Sequence, residues 1–559
     1  MNKIFNYKYL LVIILTLAVF LRFYQLGINP PSLTWDEAAW GYNAYSLGID
    51  GRDEFGRFLS HDYLESFGDF KPPMYAYLDV IPVKIFGLNE FATRFPSALF
   101  GVLTVLLTYF LVKRIFPKNH KSSIINHNSE KIALFSAFFL AISPWHILLS
   151  RAAFEANVAT FFIITGVWAF LAGVQAPAVS ESRTDERWYL IISSISFALS
   201  MYTFNTPRIV TPLLVLLLVV AFRNRLPVLK KEAAVAFVLG LLIFVPIFGF
   251  LLSPQAGLRF KEVNIFSDVN VIKTSNQEIA NDNNAIWSKL IHNRRVLYSI
   301  EYVKHYFDNL SPNFLFVRGD GNPKFSTQDV GQMYIWDILF FVGGVMFLIR
   351  KKGGNWWLIP LWLLIGIIPA ATARETPHAL RIETTLPTFQ ILAAYGFFQL
   401  VDRIKKYKKI IVFGLFALLF LNFVYFYHNY FNHYPYEYSG EWQYGYKESI
   451  NYVKSVEKNY DYVQVTNALG RPYIYYLFYT KTDPDIFRKT STVERDAFGF
   501  VTVKSFGKYV FPNNYDYSLS KNKKVLYINT PYNLPKNINV LKTFYLLNGE
   551  PILVAYTYE

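Results

Sequence analysis

Hydrophobic positions along this chain fall into long blocks rather than a period of two. Blocks of mostly apolar residues cover 9–26, 92–115, 131–149, 155–174, 188–204, 207–222, 233–252, 334–349, 356–373, 384–402 and 409–427. A helix needs about 20 such residues to cross the hydrocarbon core of a bilayer, so about eleven spans are expected. The first block is too long for a signal-peptide core and no small-x-small cleavage site follows it, so it reads as a retained helix.

The polar stretches between blocks give a direction. Lys113, Arg114, Lys118 and Lys121 fall on one side, with Arg223, Arg225, Lys230 and Lys231, then Arg350, Lys351 and Lys352, then Arg403, Lys405, Lys406, Lys408 and Lys409. Cation-rich loops stay in the cytoplasm, and these alternate to the side of the N-terminus. The N-terminus is therefore expected inside, and the loops 28–91 and 253–333 outside, along with everything from about 428. A multi-pass protein of the cytoplasmic membrane follows.

Within the first outer loop, 75–86 is apolar but short and carries Asp79, Pro82 and Lys84, which suits an interfacial helix. The loop 253–333 is polar and Asn-rich around 274–284, then turn-rich through Arg318-Gly319-Asp320-Gly321-Asn322-Pro323. From Tyr446 the pattern changes. An amphipathic helix is expected over 446–458, a strand over 460–466 and a helix over 471–479. Strands follow over 498–503, 524–529 and 540–556, the last turning at Asn548-Gly549. The expected fold class is an all-α polytopic membrane domain over 1–430 plus a small extracytoplasmic α/β domain over 431–559.

Composition agrees with lipid as the main solvent: 53% of the 559 residues are hydrophobic and 18% aromatic, while only 17% are charged. Soluble domains carry roughly a quarter charged residues. The formal charge of +15 sits mostly in short loops, which argues against nucleic acid as a partner. With no cysteine, disulfides, thiolate metal sites and cysteine nucleophiles are excluded. There is no P-loop, Gly-x-Gly-x-x-Gly or His-Glu-x-x-His, so neither a nucleotide-driven enzyme nor a metal centre is expected, although the chemistry leaves room for a divalent cation.

Chemistry-bearing residues gather at the outer ends of the blocks. Asp36 and Glu37 open a short helix after Thr34-Trp35, where a carboxylate gains from the helix dipole and suits a general base; an acid pair capping the helix fits equally. Lys71 stands in Lys71-Pro72-Pro73, and Arg94 in Ala92-Thr93-Arg94-Phe95-Pro96. Both suit an anionic leaving group, or they reach for lipid headgroups. His146, Arg151 and Glu155 form a candidate second wall, against the alternative of an ordinary Arg151–Glu155 helical pair. His378 and Arg381, three apart in a polar turn between two blocks, suit phosphate oxygens.

Trp35-Asp36-Glu37 after the first block, Lys71-Pro72-Pro73 closing the loop, and Ala92-Thr93-Arg94-Phe95-Pro96-Ser97-Ala98-Leu99 opening the second together resemble one superfamily. It is the GT-C polyprenyl-phosphate-sugar glycosyltransferases, which include protein O-mannosyltransferases and lipid A aminoarabinose transferases. The resemblance is strongest over 8–160 and extends loosely to about 430. It implies inverting transfer of one sugar from a polyprenyl phosphate to a protein, lipid or envelope-glycan acceptor, with no soluble cofactor. By motif, Asp36 matches the base and Glu37 its acidic neighbour, while Lys71 and Arg94 match positions linked to the donor phosphate. His378 and Arg381 join that anion by chemistry. In the aminoarabinose branch an acid precedes the lysine and an arginine closely follows the acidic pair; here those places hold Phe70 and Ala39. The rival readings are a transporter or flippase for a lipid-linked glycan, and a polymerase or ligase using a diphosphate-linked donor. Transporters place ionisable groups near mid-membrane and often carry inverted repeats, whereas the charges here lie at outer helix ends and no repeat is visible.

Overall fold

The computed structural model describes residues 7–117, 129–176, 184–254, 256–257, 264–496, 500–515 and 517–558. Lys118 and Lys121 of the first cationic loop, and residues 498–499 of an expected strand, lie outside them. The chain divides into two compact units, one of Met1–Arg22, Phe100–Ser150 and Glu155–Phe426, the other of Phe23–Leu99, Arg151–Phe154 and Tyr427–Glu559.

The first unit is helical. Every apolar block of the sequence has a helix in it, but lengths differ from the expectation of about eleven spans. Among the described residues, four helices are long and apolar enough to cross a membrane: Glu90–Ile115, Glu155–Gln175, Leu226–Leu251 and Lys408–Tyr438. The pair Ser129–Ile142 and Pro144–Arg151, bent by 56°, makes a fifth if it is one span. Other blocks hold shorter apolar helices, such as Tyr189–Met201, Pro207–Ala221 and Thr388–Val401. Polar or proline-containing stretches trim them, as Thr203-Phe204-Asn205-Thr206-Pro207 does between two blocks.

Close backbone approach fixes one crossing. A Cβ on Gly396 would lie 1.9 Å from the Phe340 carbonyl oxygen, and one on Gly344 would lie 2.0 Å from that of Leu392. Only glycine lets the Asp337–Lys351 and Thr388–Val401 helices touch there, the usual device of helix pairs in lipid. Loop 253–333 also contains helices, Val269–Asn281 and Arg294–Asp308, with strong amphipathic character that the sequence reading passed over.

The second unit joins residues 28–91 to the C-terminal α/β segment. Its seven-stranded sheet is ordered β4-β5-β6-β3-β7-β9-β8. The strands are β3 (Tyr462–Val465), β4 (Thr492–Arg495), β5 (Val501–Phe506), β6 (Tyr509–Val510), β7 (Val525–Asn529), β8 (Ile538–Tyr545) and β9 (Pro551–Tyr558). β3 runs parallel to β6 and β7, with Val463 opposite Leu526, and the remaining pairings are antiparallel. The strand pair expected over 540–556, turning at Asn548-Gly549, is present as the antiparallel β8–β9 hairpin. The helices Tyr446–Val456 and Pro472–Thr480 put Ile450, Val453, Ile474 and Leu477 into one core with Val463, Leu526 and Leu553. That core also takes in Ala38, Ala39 and Tyr42 of the helix Trp35–Asp50, so this helix and the sheet share a single apolar interior.

Candidate active site

The helix Trp35–Asp50 begins at Thr34, whose extended backbone (φ −71°, ψ 163°) and hydroxyl cap it. Thr34 Oγ1 accepts from Glu37 N at 3.2 Å, and Glu37 Oε2 accepts from Thr34 N at 2.9 Å, a reciprocal capping box. Glu37 then takes three further hydrogen bonds, from Arg94 Nε at 2.8 Å, Arg94 Nη2 at 3.3 Å and Ala153 N at 3.0 Å. A carboxylate has about four acceptor sites, so Glu37 is saturated.

Arg94 is saturated too. Beyond the two bonds to Glu37, Nη1 donates to the carbonyls of Leu26 (3.2 Å) and Pro30 (2.8 Å), and Nη2 to that of Ser32. Those five bonds use every guanidinium N–H. Both side chains are fully buried. Arg151 repeats the device on the same segment, donating to the Asn29 carbonyl at 2.8 Å and to Tyr430 Oη at 3.2 Å. Asn29 in turn donates to the Tyr430 carbonyl at 2.9 Å. Three buried polar side chains thus pin the backbone of 26–32, which leads into the helix start.

Asp36, one residue away, faces outward. Its side chain is 52% exposed, and Lys71, only 9% exposed, donates to its Oδ1. Lys71 closes β2 (Asp69–Lys71), paired antiparallel with β1 (Leu64–Ser66). The two residues between them, Phe67 (φ 64°) and Gly68 (φ 80°), both have positive φ, as the tightest hairpins require. This turn holds the Phe67 ring 5.2 Å from Lys71 Nζ, and the Trp40 ring lies at the same distance. The result is a half-exposed carboxylate at a helix start with an ammonium held against it by two rings. Such a pair can take a proton from a hydroxyl and steady an anion formed nearby.

Behind it lies a carboxyl that the sequence reading missed. Glu54 is fully buried; it accepts from Tyr473 Oη at 3.0 Å and from Asn43 Nδ2 at 3.0 Å. Burial pushes its carboxyl up to about 8, against the opposing pull of these two donors and of Lys71. The signal was Gly51-Arg52-Asp53-Glu54, which reads as a solvated turn until its Tyr473 partner is known.

The remaining candidates belong to the first unit. His146 is buried, and its Nδ1 accepts from Arg22 Nη2 at 2.6 Å. Arg22 also donates to the Ala141 and Leu140 carbonyls at the end of the Ser129–Ile142 helix. Glu155 opens its own helix and feels the buried Glu383. Arg381 donates to the Glu375 carbonyl at 3.1 Å. His378 is held well below the ordinary imidazole range by burial and then by Arg381. Asp320, lifted by burial to about 6, lies 3.9 Å from His378 Nδ1 and accepts from Ala379 N at 2.6 Å. With the imidazole neutral this is a polar contact rather than an ion pair, and Asp320 serves to shape the 378–381 turn.

Residues 70–250 match the family described as dolichyl-phosphate-mannose-protein mannosyltransferase. An uncharacterized protein of Aquifex aeolicus is 34% identical over 163 residues, 29% of this chain and 28% of that protein. The putative mannosyltransferase YkcB of Bacillus subtilis is 27% identical over 105 residues, 19% of this chain and 13% of its own. The chain thus spans less than a third of the length of these curated relatives. Among solved structures, ArnT from Cupriavidus metallidurans in the apo state superposes with a TM-score of 0.55 at 12% identity, over 97% of both chains. The chain has the GT-C fold. The undecaprenyl-phosphate-bound form of the same ArnT gives a TM-score of 0.52 at 11% identity, over 98% of this chain and 97% of that one. At such identity the likeness extends to the path of the backbone and the order of the helices.

Proposed function

We propose that this chain is an inverting glycosyltransferase that moves one sugar from a polyprenyl-phosphate donor to an acceptor on the outer side of the cytoplasmic membrane. The observation that carries the reading is the division of labour in the acidic pair: Glu37 is buried and saturated, while Asp36 is half-exposed beside Lys71. ArnT solved with undecaprenyl phosphate and the mannosyltransferase family match support the donor class.

In the proposed reaction Asp36 takes the proton of the acceptor hydroxyl. The acceptor oxygen forms its bond to the anomeric carbon as the bond from that carbon to the phosphate oxygen breaks. The electron pair leaves with the lipid phosphate, and the configuration inverts. Arrival of the phosphate draws Lys71 away from Asp36, which frees the carboxylate to act as base while the ammonium meets the leaving charge. Arg94 and Glu37 hold the helix start in place. Arg381 is kept as a candidate for the lipid phosphate on chemistry alone, and His378, neutral, as a donor to the same anion.

The test is incubation of the purified protein with a panel of polyprenyl-phosphate monosaccharides, scoring free lipid phosphate. One donor is expected to turn over, and Asp36→Asn to lower its rate by about 10²–10⁴-fold, the usual share of a general base. Release from no donor at all, or near-normal turnover in the Asn variant, overturns the reading.

A further inference from the structure

One arginine of the second unit is placed differently from its neighbours. Arg57, Arg488 and Arg495 each pair with a carboxylate, Asp62, Asp50 and Glu65 respectively. Arg471 has no carboxylate within 4.0 Å among the described residues. Its guanidinium lies instead 4.1 Å from the Phe67 ring centroid and 5.8 Å from that of Trp35. Phe67 is the hairpin residue already held against Lys71, so two cations flank one ring. Lys71 has Asp36 against it, whereas the Arg471 guanidinium is held by ring faces, so an anion beside Arg471 would be drawn to its charge.

Beside the guanidinium opens a cavity of about 280 Å³ lined by Phe67, Asn467, Arg471, Tyr473, Thr502 and Asn513, among others. Asn467 commits its amide N–H groups to the carbonyls of Phe511 and Pro512, which leaves its oxygen as an acceptor for a hydroxyl. Aromatic faces, hydroxyl partners and a guanidinium fork together suit a sugar ring that bears an acid group. The Phe67 ring that lines the cavity lies 5.2 Å from Lys71 Nζ, and Lys71 pairs with Asp36, the proposed base.

We propose that this cavity is a binding subsite for an acidic saccharide, with Arg471 gripping its oxyanion. Resting on the transferase reading, it makes the acceptor an acid-bearing glycan presented to Asp36 from the sheet side. The binding itself needs no donor, so it can fail or succeed independently of that reading.

The experiment is isothermal titration of the purified full-length protein in detergent with glucuronate, glucose 6-phosphate, glucose and inorganic phosphate. Both acidic sugars are expected to bind at least ten-fold more tightly than glucose and than inorganic phosphate. Arg471→Gln should abolish that preference with the thermal midpoint unchanged. Thr502→Trp, which fills the cavity from another strand, should weaken all three sugars together. Equal affinity for glucuronate and glucose, no binding of any sugar, or a preference that survives Arg471→Gln overturns the proposal. Phosphate binding as well as the acidic sugars would reduce the site to a simple anion hole and overturn it as a saccharide subsite. Lipid-phosphate release from the donor panel, run on the same Arg471→Gln sample, reports separately on the transferase.

Discussion

Glu37 and Arg94 are the residues whose loss should show first in stability. Removing one member of a buried, fully bonded ion pair leaves the other charge uncompensated, at a cost of about 3–5 kcal/mol. Glu37→Gln and Arg94→Met should therefore each lower the thermal midpoint sharply, while Asp36→Asn, at a half-exposed position, should leave it near that of the parent. A scan of the three variants in detergent checks this, and equal midpoints would return Glu37 to the reacting shell. Glu54 makes a prediction about pH. Its carboxyl is lifted from 4.5 to about 8 in the folded protein, so between those values the folded state holds a proton that the unfolded chain has released. Stability should fall as pH rises across that window, by up to about 1.4 kcal/mol per unit, and the contribution of the Glu54 proton should be gone above it. Glu54→Gln should flatten the midpoint measured at pH 5, 6.5 and 8. Residue types were legible in the sequence: Asp36, Lys71 and Arg94 stand out because charge is rare here. Which carboxylate of the pair turns inward was not legible. That depends on Ala153 and on carbonyls of 26–32, and on a Tyr473 more than 400 positions from Glu54.

Apolar helices announce themselves as unbroken runs, because lipid demands nothing else of their outer faces, and each expected block holds a helix. Short elements do not announce themselves. β1 and β2 have three residues each, and Phe67 at positive φ breaks the usual rule that such turns take Asn or Gly first. The parallel placing of β3 between β6 and β7 depends on residues 509–529, whose pairing leaves no periodic trace. Helix packing in the second unit is close enough to test by one methyl group. A Cβ on Gly41 would lie 2.4 Å from Thr93 Oγ1 and 2.6 Å from Phe478 Cε2. Gly41→Ala should destabilise by about 1–3 kcal/mol through overpacking, despite the better helix propensity of alanine. A midpoint raised by the substitution would mean that these neighbours yield freely.

Across the whole molecule, the alternation of cation-rich loops with the loops 28–91 and 253–333 makes an expected topology that can be tested directly. The chain has no cysteine, so a single introduced thiol reports its own side of the membrane. Asn548, exposed at the β8–β9 turn, and Lys405, exposed in the last cationic loop, suit the purpose. Asn548→Cys should react with an impermeant maleimide in intact cells, and Lys405→Cys only after lysis. Labelling of both in intact cells, or of neither, would overturn the proposed orientation. The division into membrane helices followed by an α/β segment was readable from the change of period near Tyr446. The shared interior of the helix Trp35–Asp50 with that segment was not, since Ala38, Ala39 and Tyr42 lie some 400 positions from the strands they pack on.

Asp36 and Glu37 are consecutive residues at the start of one helix, so their side chains point about 100° apart around its axis. The buried acid and the proposed base therefore lie on the same turn, and neither can be repositioned without the other. With Asp36 as the proposed proton acceptor, such a pair leaves little freedom to adapt to different nucleophiles. Diversification among such chains would have to proceed through whatever brings the nucleophile in, with the two acids handed down as an indivisible pair.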